Sequence, residues 1–315
     1  MDNSSNYTTP QPDTTGFLVF SIVMVLTAGG AIFFNILTAV VASTRKELHL
    51  PLRILLVNLL VGSTLTAVDL VLQSTVSILL PSRDFNGTTD NACRVYVLFF
   101  RSSAVMRLCN VAAYSIGVLT VAIKGKRGLN SVHVIPLILF AWLYALGMSF
   151  YLVIPEASEL AYIGPGHAWC TTIPKPYLLA TWYIFGGIPP MAVSATVIIT
   201  TWCYLRKHKL SEVTLFRKGL IRLALFLFLA NTVNLINTIP TIIIKSDPDE
   251  YIVPYVVSAL VAVFLWSTAI VIVFFIAPIR HKMVAILCCF CKQRQPGKSP
   301  GENARTALNE TRLLM

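Results

Sequence analysis

The sequence predicts an all-α membrane protein, a seven-transmembrane helix bundle with a short amphipathic eighth helix. Three features carry this: seven long apolar runs divide the 315 residues, charged residues are scarce, and basic loops alternate with acidic ones. Crossing the roughly 30 Å hydrocarbon core takes about 20 apolar residues. Backbone N–H and C=O groups find no water there, so each run must be a helix. With 56% hydrophobic and 12% charged residues the chain is far from a soluble domain, in which about a quarter of residues are charged.

Residues 1–15 are polar and form the N-terminal segment. They lack the basic start and short apolar core of a cleavable signal, so the first span is expected to serve as the insertion signal. The spans read as Gly16–Ala42, Leu52–Leu80, Ala92–Ile123, Val132–Ile154, Pro176–Leu205, Gly219–Ile244 and Tyr251–Ala277, which together occupy 16–277. An amphipathic stretch at 278–291 is expected to lie on the membrane surface. The tail, 292–315, is polar and contains Pro296 and Pro300, a composition that cannot bury a core and is expected to be disordered. Ser299 and Thr306 are candidate phosphorylation targets within it.

Charge fixes the orientation. Nineteen of the 25 lysines and arginines fall on one side of these spans, four on the other, and Arg101 and Arg107 lie inside the third span. The positive-inside rule puts the basic side in the cytosol, so the N-terminus is extracellular and the C-terminus cytoplasmic. The net charge of +11 is then a consequence of membrane topology, and nucleic-acid binding is not needed to explain it. The extracellular side carries nine acids against four bases. Asn3, Asn6 and Asn86 head N-x-S/T acceptors for glycosylation, and all three fall on that side.

Cysteines divide in the same way. Cys93 opens the third span at its outer end and Cys170 lies in the second outer loop, so both face an oxidising compartment in which a bond between them can persist. Cys109 and Cys203 are expected to be buried small apolar residues. Cys288, Cys289 and Cys291 follow the amphipathic stretch and are candidates for palmitoylation, the alternative being unmodified cytosolic thiols.

Several residues keep a characteristic spacing: Asn35 in the first span, Asn58-Leu59-Leu60-Val61-Gly62-Ser63 in the second, and Cys93 followed 25 residues later by Val118 within Ala113-Tyr114-Ser115-Ile116-Gly117-Val118-Leu119. Trp142 and Pro155 lie in the fourth span and at its outer end, and Pro189-Pro190 in the fifth. Phe228 begins Phe228-Leu229-Ala230-Asn231-Thr232-Val233-Asn234 in the sixth. Thr268-Ala269-Ile270-Val271-Ile272 lies in the seventh, and Ile279 to Cys289 follow it at the proper gap. Together these resemble the rhodopsin-like (class A) family of G-protein-coupled receptors over essentially all seven spans. The resemblance implies a cell-surface receptor, with Cys93 as the disulfide cysteine and Ile279 to Cys289 as the eighth helix.

The departures from the family pattern are grouped. Ser63 stands where the family has an aspartate, Gly117-Val118-Leu119 where it has D-R-Y, and Thr268 to Ile272 where it has N-P-x-x-Y. Asn231, Thr232 and Asn234 replace the C, W and P of F-x-x-C-W-x-P. Ala262 falls near the position of the retinal-bearing lysine of visual pigments, which argues against a light receptor. The scaffold markers persist while the polar groups exchanged on activation are missing, so weak or unconventional coupling is expected.

Arg101 and Arg107 need a reason, since a charge at mid-bilayer costs about 2.5–3.5 kcal/mol even on lenient scales. Arg101 at pocket depth either meets an anionic ligand group or loop carboxylate, or snorkels outward to water. By the resemblance, Arg107 lies where the family helps coordinate an internal sodium ion. Asp69 is the only acid inside a span, and the alternatives for it are an ion pair with these arginines or a watered cavity. Asn110, Asn231, Asn234 and Asn237 are expected to bond between helices, the alternative being contact with a ligand. Trp169, Tyr177, Trp182, Tyr183 and Tyr255 either line a pocket or belong to the interfacial aromatic belt. Candidate ligand contacts are Arg101, Asp69, Trp182, Tyr183 and Tyr255.

Arg206-Lys207-His208-Lys209 and Arg217-Lys218 flank the third cytosolic loop, which suits either anionic lipid or a G protein. The five histidines lack metal-ligand spacing, and no phosphate-binding glycine loop or paired membrane carboxylate is present, so neither an enzyme nor a metal or other cofactor is expected. The expected partners are an unknown extracellular ligand, a heterotrimeric G protein and membrane lipid. The alternatives are a seven-helix transporter or channel component, for which internal repeats would speak, and a receptor-like protein without G-protein signalling.

Overall fold

Long helices of apolar sequence have to turn their few polar side chains toward one another, and the computed structural model shows them doing so. It describes residues 14–79, 87–125, 128–150, 153–154, 158–163, 169–174, 176–207, 215–238 and 252–292. The helices are α1 (Thr14–Thr44), α2 (Leu50–Leu79), α3 (Gly87–Lys124) and α4 (Ser131–Phe150). The fifth span is built from α5 (Pro176–Thr181), a π turn (Trp182–Gly187) and α6 (Ile188–Lys207). Then come α7 (Leu215–Thr238), α8 (Ile252–Phe275) and α9 (Ala277–Lys292).

The bundle buries its polar side chains among a mostly apolar core and turns large apolar side chains outward. Ser21, Asn35, Thr38, Ser63, Ser74, Ser149 and Ser194 are fully buried, whereas Leu26, Phe33, Phe140, Leu143, Trp202 and Phe274 project outward. That apolar exterior is what lipid as solvent allows and a soluble protein avoids. Cys203 also faces outward, contrary to the expectation that it is buried, whereas Cys109 is buried as expected. Among the described residues, five helices are long and apolar enough to cross a membrane, with α8 and α9 forming a bent pair beside them.

Helix α9 leaves α8 at 105°, so it does not continue the span. Pro278 supplies the break: lacking an N–H, it cannot bond the carbonyl of Phe274 four residues back. That carbonyl instead accepts a hydrogen bond from Arg280 Nη1 at 3.1 Å. Ile279 and Met283, four apart, are buried, while Arg280, His281 and Lys282 are exposed. An apolar stripe with a cationic face is the pattern of a surface helix.

The same logic explains the π turn in the fifth span. Pro189 has no N–H for the carbonyl of Phe185, and its ring crowds that carbonyl, so the turn widens. The released Phe185 carbonyl accepts a hydrogen bond from the Tyr144 hydroxyl on α4. Trp182 and Gly187 are thereby turned into the bundle, Gly187 directly against Leu235 of α7.

Between α4 and α5 lies an antiparallel hairpin of β1 (Ser158–Ile163) and β2 (Trp169–Pro174), in which Tyr162 pairs with Cys170. Strand β2 packs against the outer part of α3. Helix α3 ends inward at Gly125, whose φ of 70° is the left-handed stop that glycine supplies at low cost.

Candidate functional site

Helix α3 runs through the middle of the bundle, and its two outward-half faces hold different chemistry. On the face toward α2, Ser103 donates its hydroxyl to Asp69 Oδ2 at 3.1 Å and lies 3.2 Å from the Thr66 hydroxyl. One to two turns further out, the Tyr96 hydroxyl donates to Gln73 Oε1 at 2.7 Å and to the Asp69 carbonyl at 3.3 Å. Asp69 and Ser103 are buried.

On the face toward the fifth span, the Arg101 guanidinium sits 5.6 Å from the centre of the Trp182 ring. Trp182 meets Tyr183 edge to face at 4.9 Å, and its indole Nε1 is buried with no hydrogen-bond partner among the described residues. Arg101 is only half-buried. An arginine over an indole face is a cation–π pair with charge still open to a further partner. The widened turn at Trp182–Gly187 is what brings this ring inward.

Arg101 and Ser103 are two residues apart, about 200° around the helix. Asp69 and Arg101 therefore contact opposite sides of α3, and the expected ion pair does not form. Among the described residues the one salt bridge is Arg45 to Glu47, 3.4 Å apart between α1 and α2. Asp69 takes a serine hydroxyl instead.

Of the five aromatics named as pocket or belt, Trp182 and Tyr183 join the Arg101 cluster, and Tyr177 is exposed as a belt residue would be. The backbone of Trp169 lies in β2 and that of Tyr255 in α8, with both side chains outside the described residues. Tyr96, Gln73 and Ser103 were not singled out from sequence. For Tyr96 and Ser103 the available signal was their place on one face of α3, at 96, 103, 107 and 110, with Gln73 one turn beyond Asp69 on α2.

In the middle of the bundle, Asn58 Nδ2 donates to Asn110 Oδ1 at 2.7 Å, Asn110 Nδ2 to the Asn58 carbonyl at 3.2 Å, and Trp142 Nε1 to Asn58 Oδ1 at 3.1 Å. This joins α2, α3 and α4. Gly62 permits it, since a Cβ there would come within 2.9 Å of Asn110 Nδ2. Ser63 bonds Thr268 on α8 at 3.2 Å, and Asn35 reaches the Leu265 carbonyl at 3.4 Å. Asn231 does not bond between helices as expected: it donates to the Leu227 carbonyl of its own helix at 2.8 Å.

The inner end is closed by hydrocarbon. Tyr114, Val118 and Val121 of α3 pack with Leu220, Leu223 and Leu227 of α7 and with Ile272 and Ile276. The Tyr114 hydroxyl lies 3.5 Å from the Leu220 carbonyl. A cavity of about 370 Å³ opens beside this core between α2, α3 and α4, with Lys124 and His133 among its lining.

Asn3, Asn6 and Asn86 lie outside the described residues, as do the side chains of Cys170, Cys289 and Cys291; Cys288 is exposed on α9. Cys93 is buried and disulfide-bonded.

No protein-family model matches the chain, and no curated protein matches it. Among solved structures it is similar to squid rhodopsin, with a TM-score of 0.67 at 12% sequence identity, over 85% of this chain and 80% of that one. At that identity the likeness speaks for the fold alone. The chain has a rhodopsin-like receptor fold, a membrane helix bundle completed by the surface helix α9.

Proposed function

We propose that this protein is a cell-surface receptor that binds an extracellular ligand between its helices and signals weakly or unconventionally to heterotrimeric G proteins. The observation that carries the reading is the Arg101–Trp182–Tyr183 cluster in the outer half of a rhodopsin-like bundle. A half-buried guanidinium held over an indole offers charge-assisted hydrogen bonds to an anionic group, while Asp69 and Tyr96 offer a second polar wall. Activation is then a shift between two helix packings, biased by a ligand that prefers one of them.

The same reading places the N-terminus outside, with glycans on Asn3, Asn6 and Asn86. Cys93 pairs with Cys170, a link supported by the disulfide-bonded state of Cys93 and by β2 packing on α3. Cys288, Cys289 and Cys291 carry palmitate that holds α9 on the plasma membrane. Membrane lipid is then a partner at the basic cytosolic loops.

A second reading, a receptor-like protein without G-protein signalling, is favoured by the burial of Val118 and Ile272 in the inner core. One experiment separates the two from a transporter or channel: ligand-independent and ligand-screened G-protein recruitment in cells, measured beside whole-cell current. Recruitment supports the first reading, silence in both channels the second, and current without recruitment rejects both.

A further inference from the structure

Arg107 is a buried cation for which no counter-charge is found among the described residues. It is 7% exposed, its Nε is buried with no hydrogen-bond partner, and no ion pair reaches it among the described residues. Arginine does not escape by losing its proton, so the charge itself has to be accommodated.

Depth excludes help from the loops. Arg107 lies 14 residues inward of Cys93, about 21 Å along the helix, and 17 residues outward of Lys124, about 26 Å. Every acidic residue except Asp69 lies outside the seven spans. Asp69 is engaged one turn further out, where its Oδ2 takes the Ser103 hydroxyl.

The sector that Arg107 occupies is polar. At about 100° per residue it stands some 40° from Ser103 and 60° from Asn110, both of which bond to α2. Gly62 of α2 is directly opposite, and a Cβ there would come 4.0 Å from the Arg107 Cα. Ser63 and Thr66 near that glycine make the layer polar, their hydroxyls donating to Thr268 and to the Gly62 carbonyl. A small anion is the ligand that matches a buried guanidinium in a polar layer that carries no carboxylate on it.

We propose that Arg107, opposite Gly62 of α2, forms an internal binding site for a small monovalent inorganic anion such as chloride. The ion neutralises the guanidinium and ties α3 to α2 at mid-membrane. The site depends on neither a receptor ligand nor a G protein.

The test uses the purified full chain in lipid nanodiscs, unfolded thermally while sodium chloride is exchanged for sodium gluconate at constant ionic strength. The expected result is a saturable rise in Tm of about 3 °C or more with chloride. Arg107→Met abolishes the rise, Arg107→Lys moves its half-point to higher chloride, and Asp69→Asn preserves it. If Arg107→Met does not fold, the half-point of Arg107→Lys decides, and an unchanged half-point overturns the site. A Tm indifferent to chloride in the unaltered protein, or an equal rise in Arg107→Met, also overturns it and leaves the receptor reading untouched.

Discussion

In the outer half of the bundle, Asp69, Ser103, Tyr96 and Gln73 tie α2 to α3 through hydroxyl, amide and carboxylate groups, and Arg101 rests on Trp182. In the inner half, Tyr114, Val118, Leu223, Ile272 and Ile276 close α3 against α7 and α8 with hydrocarbon. Polar contacts are directional and can be exchanged for those of a ligand. Close-packed hydrocarbon has no such substitute, and prising it apart forfeits contact without repayment. On the proposed reading the outer half meets the ligand, while the inner half resists the opening that signalling would require.

The severest way to break this contrast is to put charge into the inner half. Val118 is 4% exposed among apolar neighbours. Val118→Arg buries an uncompensated charge, with an expected loss of about 3–5 kcal/mol. Surface expression and Tm should fall and no strong signalling should appear, because partners for the guanidinium are missing as well. A well-expressed variant with large ligand-dependent recruitment would show that the inner end is polar or open.

The two halves also differ in how far the sequence revealed them. Helices were legible because a bilayer needs about 20 apolar residues in a row, and that signal is long. Asn35, Asn58, Ser63 and Trp142, picked out by spacing, all make contacts between helices. The Asp69 and arginine pairing was misread because sequence gives depth along a helix far better than direction around it. The hairpin escaped notice because two six-residue strands in an outer loop leave only a short pattern. The π turn had one trace, Pro189-Pro190, whose missing donors foretell an interruption without its form.

The outer half has its own breaking point. Cys93→Ala should cost about 2–4 kcal/mol by freeing the loop that carries β1 and β2, and should reduce surface expression. Unreduced peptide maps should recover Cys93 joined to Cys170. Both cysteines recovered as free thiols from correctly trafficked protein would refute the pairing.

A milder change sharpens the view of the inner half as closed. Gly219 of α7 lies so near α8 that a Cβ there would come within 2.5 Å of the Phe275 carbonyl oxygen, a backbone atom that cannot rotate away. Gly219→Ala should therefore lower stability by about 1–3 kcal/mol, or push α7 outward and raise ligand-independent recruitment. Unchanged Tm together with unchanged recruitment would mean that the inner contact yields at no cost.

The smallest expected effect, none at all, lies at the boundary between the halves. Ser63 stands where the resemblance to rhodopsin-like receptors implies a sodium-binding aspartate, and in this chain its hydroxyl is engaged with Thr268 at 3.2 Å. Arg107 brings a buried positive charge to the same layer. Two unit charges 4 Å apart interact by about 4 kcal/mol at an effective dielectric near 20, enough to disfavour a sodium ion beside the guanidinium about a thousandfold. Replacing sodium by a large organic cation, with chloride and ionic strength fixed, should leave Tm and ligand affinity unchanged. A saturable, sodium-specific shift that disappears in Ser63→Ala would sink the assignment of both residues. Ser63→Asp carries the argument one step further: its carboxylate should pair with Arg107 and recruit no sodium, so the response to chloride should vanish while the response to sodium stays flat. If that variant instead gains a sodium response, the guanidinium must point away from α2, and the mid-membrane layer would belong with the polar outer half.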